Sequence, residues 1–210
     1  MFDVSLFAKR AQEVVAAGRF LYDQGWSPAT SSNYSARLDS RHLAITVSGR
    51  HKGDLTVEDI MVVDLAGRPI LSSQKPSAET LLHTHLYRSR PDIGAVLHTH
   101  SLPATVLTRY WAGRTEWMLS DFELQKAFRG QVTHDSALVI PIFENSQNIE
   151  ALAVQADSYL SMHPDTPGYL IRGHGLYTWG ESMTECLRHI EAMEFLLACE
   201  LELCRLERSN

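Results

Sequence analysis

Apolar residues recur at helical spacing near the start of the chain, at Phe7, Ala11, Val14, Val15, Gly18, Leu21 and Tyr22, and the stripe stops at Gly25. The spacing predicts an amphipathic helix that follows Ser5 and packs along one face. Over residues 31–70 the period shortens to two, with runs at 34–38, 42–47 and 60–64 separated by Asp39-Ser40 and closed by Ala66-Gly67. Antiparallel hairpins are expected there. Helical spacing returns with Ala78, Leu81, Leu82 and Leu86. Ser77 is placed to cap that start, Glu79 falls in the first turn, and a helix is predicted over 77–90 until Pro91-Asp92 breaks it. A strand over 95–100, an amphipathic segment from Pro103, a short strand over 137–142, a helix over 149–162 and a hairpin over 169–179 follow. Ser182-Met183-Thr184-Glu185 is a capping-box pattern opening a last helix, which carries Leu187, Ile190, Met193, Leu197, Leu201 and Cys204 toward a partner.

With 210 residues, 44% of them hydrophobic, the chain has material for one substantial core and little for two, so a single domain over 1–210 is expected. The formal net charge is −6, and no basic cluster appears that could neutralise a phosphate backbone, which argues against nucleic acid as partner. A small anion remains possible, because a few backbone amides suffice to hold one phosphate. No apolar run is long enough for a membrane span and no signal pattern opens the chain, so a cytoplasmic protein is expected. Cys186, Cys199 and Cys204 all fall in the last predicted helix, as reduced core thiols. Without a Cys-x-x-Cys, any metal must rely on imidazole and carboxylate.

The candidate chemistry lies in the histidines. His98-Thr99-His100 ends the apolar run Gly94-Ala95-Val96-Leu97, and on a strand the side chains at i and i+2 leave the same face. Both imidazoles can then meet one ion, with His174 of Arg172-Gly173-His174-Gly175 as a third ligand beside a bend that glycine permits. Three protein nitrogens leave a coordination position open, which marks a catalytic site and not a closed structural one. The same tripeptide occurs earlier as His83-Thr84-His85. On the predicted helix those two side chains point roughly 200° apart around the axis, so they do not share an ion and read as surface or buried hydrogen-bonded histidines.

Taken together, Ser32-Asn33-Tyr34-Ser35-Ala36-Arg37, Val47-Ser48-Gly49, Lys75-Pro76-Ser77-Ala78-Glu79, His98-Thr99-His100 and Gly173-His174-Gly175 resemble the class II aldolase family over nearly the whole length. The resemblance implies an α/β fold with a central, mainly antiparallel sheet flanked by helices, and a homotetramer with sites at subunit interfaces. It implies one zinc ion per subunit on His98, His100 and His174, and a phosphate cradle from Asn33, Ser48, Gly49 and Ser77. Ala78 stands where many sugar-phosphate aldolases of the family carry a second serine. Residues 168–180 and 188–197 most resemble the members that dehydrate a methylthio-substituted ribulose 1-phosphate in methionine salvage, through a metal-stabilised enediolate. Aldol cleavage or epimerisation of a sugar phosphate, as in a fuculose-phosphate aldolase, is the second expectation. Two carboxylates compete for the acid/base role. Glu123 matches the glutamate of the dehydratases, with one residue of slack that leaves Asp121 in contention, and Glu79 matches that of the aldolases.

Overall fold

The computed structural model describes residues 2–208. Helix α1 spans Val4–Asp23 and is started by Asp3, not after Ser5: the Asp3 carboxylate accepts the amides of Ser5 and Leu6 at 2.8 and 3.2 Å. An ionised carboxylate at that end also meets the positive pole of the helix. The stripe read from the sequence is buried at Ala11, Val14, Gly18 and Leu21. Strands β1 (Asn33–Arg37), β2 (His42–Thr46), β3 (Ile60–Asp64) and β4 (Pro69–Ile70) follow, then α2 (Thr80–Ser89), β5 (Ala95–Thr99), α3 (Leu102–Tyr110), β6 (Glu116–Leu119), β7 (Leu138–Phe143), α4 (Ile149–Met162), β8 (Gly168–Ile171), β9 (Gly175–Gly180) and α5 (Met183–Arg208). None of the helices of the described residues is long and apolar enough to cross a membrane.

All nine strands join one sheet in the order β4-β3-β2-β1-β5-β9-β8-β7-β6. Only β7 and β8 run parallel, so the sheet is mainly antiparallel as expected. Period-two alternation sorts the strand residues onto two faces. Tyr34, Ala36, Ala95, Leu97, Leu170 and Leu176 pack with α1, α3 and α5, whereas Leu43, Ile45, Val96, Tyr169, Ile171, Tyr177 and Trp179 pack with α2 and α4. Covered on both sides, the central strands are apolar almost throughout, and a polar side chain there needs a partner. Ser35 on the α2 side has one in His83, and Thr99 on the α5 side donates to the Glu194 carboxylate.

Helix α2 begins three residues later than the sequence suggests, and Ser77 is not its N-cap. Residues 75 and 76 are tied to the end of β2 by a bridge between Val47 and Pro76 and by the Ser48 amide donating to Lys75 O at 3.0 Å. The chain must therefore turn through 77–79, and Ser77 O accepts from the amide and hydroxyl of Thr80 at 3.1 and 2.7 Å. Glu79 takes the N-cap position with no side-chain capping bond, which leaves its carboxylate free to face elsewhere. At α5 the capping pattern holds in part: Ser182 Oγ accepts the Glu185 amide, and Glu185 reaches back to the Glu181 amide instead of that of Ser182. The short strands β4 and β6 are absent from the sequence reading. Each lies at an edge of the sheet, where two to four residues carry too little alternation to register.

Glycine is required where β9 leaves its turn. A Cβ at Gly175 would lie 1.9 Å from Thr99 O and 3.1 Å from His98 Cε1, so any side chain forces β9 away from β5. Gly175→Ala is expected to destabilise the protein by about 3 kcal/mol, which for a chain of this size lowers the melting midpoint by about 6–12 °C. A calorimetric midpoint within a degree or two of the parent would contradict the close approach.

Candidate metal centre

Strand β5 delivers His98 near its end and His100 just beyond it, and their Nε2 atoms come within 2.8 Å. His174 enters from the turn between β8 and β9, its Nε2 3.3 Å from that of His98 and 3.2 Å from that of His100. Glu79 completes the group, with Oε2 3.2 Å from His98 Nε2 and Oε1 3.1 Å from His174 Nε2. All four donor atoms lie within 4.8 Å of one another. A tetrahedral ion with bonds of about 2.0–2.1 Å spaces its ligands by roughly 3.3–3.4 Å, so this cluster fits one divalent cation with little adjustment.

The protonation of the rings fits it too. His98 Nδ1 lies 2.9 Å from Leu176 O, a carbonyl that can only accept, so Nδ1 donates there and Nε2 is the ring atom turned into the cluster. Burial, with His98 and His174 alongside, pushes His100 down to about 2, so its ring is neutral. His98 is stacked on Tyr177 at 4.0 Å between centroids, which fixes the plane of the ring.

Glu79 is held from behind by a chain of hydrogen bonds. Its Oε2 accepts from Asn33 Nδ2 at 2.7 Å and from the Tyr177 hydroxyl at 3.0 Å. Asn33 Oδ1 in turn accepts from His83 Nε2, and His83 Nδ1 accepts from Ser35 Oγ at 2.7 Å. Burial holds His83 at about 3, with His98 adding to the effect and Glu79 opposing it, so it acts as a neutral ring with one donor and one acceptor. Burial alone would raise the Glu79 carboxyl, but His98 and His174 outweigh it and hold it well below the usual range, as a carboxylate. The rival histidine pair thus divides as the helical geometry requires: His83 is fully buried in this relay, and His85 stands apart, partly exposed.

The cluster opens onto a cavity of about 440 Å³. Asn33, Ser48, Gly49 and Ser77, drawn from three segments, all line it beside Glu79, His100 and His174. Gly49 has φ +74, a conformation that favours glycine and turns the Ser48–Gly49 backbone at the cavity wall. Ala78 lines the wall as well, offering backbone only. The sequence reading missed three contributors: Ser32 with φ 71, the segment Asn145-Ser146-Gln147 after β7, and Lys52. Ser32 gave a signal only as part of a motif, and Asn145-Ser146-Gln147 reads as an ordinary polar loop. Lys52 lies in the short basic run Arg50-His51-Lys52, directly after Ser48-Gly49.

Glu123 and Asp121 are not brought to this cavity within one chain. Glu123 begins a 3-10 turn, Glu123–Ala127, with its side chain 73% exposed and its carboxylate 2.7 Å from Lys126 Nζ. Asp121 is exposed two residues earlier, at φ 64. A second cavity of about 390 Å³ lies at the other end of β9, by Gly180. Its arginines are already engaged, Arg129 with Glu181 at 2.5 Å and Arg90 with Pro164 O at 3.0 Å, and no metal-type donor cluster of the described residues opens onto it.

Residues 12–201 match the family of the Class II Aldolase and Adducin N-terminal domain. A methylthioribulose-1-phosphate dehydratase of Hahella chejuensis (strain KCTC 2396) is 63% identical over 207 residues, covering 99% of this chain and 100% of the relative. Another, of Marinobacter nauticus, is 59% identical over 208 residues, with 99% and 100% covered. Among solved structures, an L-fuculose-1-phosphate aldolase of Thermus thermophilus shares the fold at a TM-score of 0.76 and 24% identity, covering 97% of this chain and 99% of that one. A domain match over most of the chain, full-length relatives of high identity and a common fold make this protein a member of the class II aldolase and adducin family.

Proposed function

We propose that the protein is a zinc-dependent hydro-lyase that converts 5-methylthioribulose 1-phosphate into 2,3-diketo-5-methylthiopentyl 1-phosphate, a step of methionine salvage in the cytoplasm. The observation that carries this reading is the cluster of Glu79, His98, His100 and His174 opening onto a cavity whose lining has the donors for a phosphate. The two full-length relatives named for that activity support it. Imidazole and carboxylate donors gathered this closely suit zinc, which His98, His100 and His174 would hold. When bound, the ion polarises the ketose carbonyl as a Lewis acid and stabilises the negative charge that develops as a proton leaves C3.

The remaining work falls to the side chains. Ser48, Gly49, Ser77 and Asn33 hold the phosphate and so fix how far C3 and C4 stand from the cluster. A carboxylate takes the C3 proton, and a carboxylic acid returns one to the C4 hydroxyl, which leaves as water. The resulting enol ketonises, so the net change is loss of one water with no redox partner. Glu79 stands in the cluster as a carboxylate and fits the role of base. Glu123 can shuttle protons only by reaching the cavity of another copy of the chain, so its role requires an assembly such as the homotetramer.

Chelation should abolish turnover and added zinc restore it, while His98→Ala should lose both the bound metal, measured by elemental analysis, and the activity. With 5-methylthioribulose 1-phosphate, the expected product is the diketone, without carbon-chain cleavage. Dihydroxyacetone phosphate and an aldehyde in its place would move the assignment to a sugar-phosphate aldolase. Glu79→Gln should lower kcat by about 10²-fold or more with metal still bound; an unchanged kcat would remove it as base. Glu123→Gln should show a similar loss, and mixing it with His98→Ala subunits should restore part of the activity. Full activity of the Glu123→Gln homo-oligomer would remove that residue from the mechanism.

A further inference from the structure

The phosphate cradle inferred from the motifs contains hydroxyls, an amide and backbone N–H groups, and no cation. Backbone amides can hold a phosphate, but a dianion in the same cavity as the Glu79 carboxylate is held more strongly where a fixed cation offsets that charge. Asn33 brings no charge: its neutral amide gives one N–H to Glu79 and its oxygen to His83, which leaves a single N–H for a phosphate. We propose that Lys52 is the charged anchor of the phosphate and the residue that makes this cavity select phosphorylated substrates. This rests on reading the cavity as a sugar-phosphate site.

Among the described residues Lys52 is the only Lys or Arg that lines the cavity. It is also buried, with a relative exposure of 1%. No carboxylate of the described residues is paired with it: Asp59, the nearest acidic influence, is bound 3.0 Å away to Arg50. Its ammonium donates instead to two backbone carbonyls, Arg50 O at 2.7 Å and Thr30 O at 3.3 Å. An ammonium has three N–H donors, so one remains.

A buried cation without a counter-charge is unfavourable, and binding an anion beside it relieves that cost. The backbone explains how the charge is aimed. Arg50 and Thr30 belong to the two loops that carry Ser48-Gly49 and Ser31-Ser32-Asn33 to the cavity wall. By bridging their carbonyls, Lys52 ties both loops together beside the cavity that it lines. Burial lowers its pKa to about 8, with Asp59 opposing, so the ammonium is still the main form at neutral pH and a bound phosphate would strengthen it.

The alternative is a lysine that only staples two loops, and the two roles separate under direct binding measurements. Metal-loaded wild-type, Lys52→Met and Lys52→Arg proteins would be titrated with inorganic phosphate by calorimetry, and assayed with 5-methylthioribulose 1-phosphate. Lys52→Met should weaken phosphate binding about 30-fold and raise KM by a similar factor with a smaller change in kcat, as expected for loss of a buried charge pair. Lys52→Arg should recover part of both while keeping the charge. Phosphate affinity in Lys52→Met equal to wild type, with only the melting temperature lowered, would overturn the proposal and leave the loop staple. A wild-type protein that dehydrates the substrate while Lys52→Met keeps its KM overturns the anchor alone. A wild-type protein that takes up no phosphate and shows no turnover overturns the sugar-phosphate reading and this proposal with it.

Discussion

The pairing of β5 with β9 is the constraint on which everything else depends. It is antiparallel from Ala95 opposite Gly180 to Thr99 opposite Leu176, and it brings the end of one strand to the beginning of another from a distant part of the chain. The β8–β9 turn then places His174 over His98 and His100. Close approach at Gly175, where no Cβ fits, lets the Leu176 carbonyl accept the Nδ1 proton of His98. A backbone contact at the middle of the sheet thus also orients the ring of a candidate metal ligand.

Around that contact the polar groups are arranged in advance of any ligand. Ser35, His83, Asn33 and Glu79 form a directed relay in which each group has a single available role, because burial keeps His83 neutral and the neighbouring histidines keep Glu79 ionised. Such a network is unfavourable to build in a low-dielectric interior unless every member is satisfied. Its return is a carboxylate held at a fixed distance from the ligand atoms, with no reorganisation needed when substrate arrives. Lys52 and the Ser48–Gly49 turn line the same cavity and bring positive charge and backbone donors to it.

The metal cluster alone does not choose between losing water and breaking a carbon–carbon bond. Both begin by stabilising negative charge next to a carbonyl, and the same cluster could serve either. Choice of reaction depends on which acid stands near the leaving group and on how the phosphate fixes the chain over the cluster. A carboxylate supplied by a neighbouring copy would make that choice a property of the assembly and not of one subunit.

The sequence determined what local periodicity and side-chain chemistry can determine. Helices α1, α4 and α5, the strands β1, β2, β3, β5 and the β8–β9 hairpin follow from apolar spacing and turn residues. His98 and His100 follow from the i, i+2 rule on a strand, while the same spacing on a helix removed His83 and His85. Edge strands of two to four residues lie below the length at which a period is legible. Tertiary structure decided the start of α2, since the bridge from Pro76 to Val47 and not the capping preference of Ser77 sets where the helical ladder begins. It alone decided the role of His83, which depends on Asn33 and Ser35 arriving from another strand, and that of Lys52, whose burial against two loop carbonyls has no local signature. It also separated Glu79 from Glu123: in the sequence both are glutamates near a helix start, and only the fold buries one carboxylate among imidazoles and leaves the other in solvent. Spacing along a chain specifies which side chains share a face, but burial, protonation and partners depend on what the rest of the chain packs against that face.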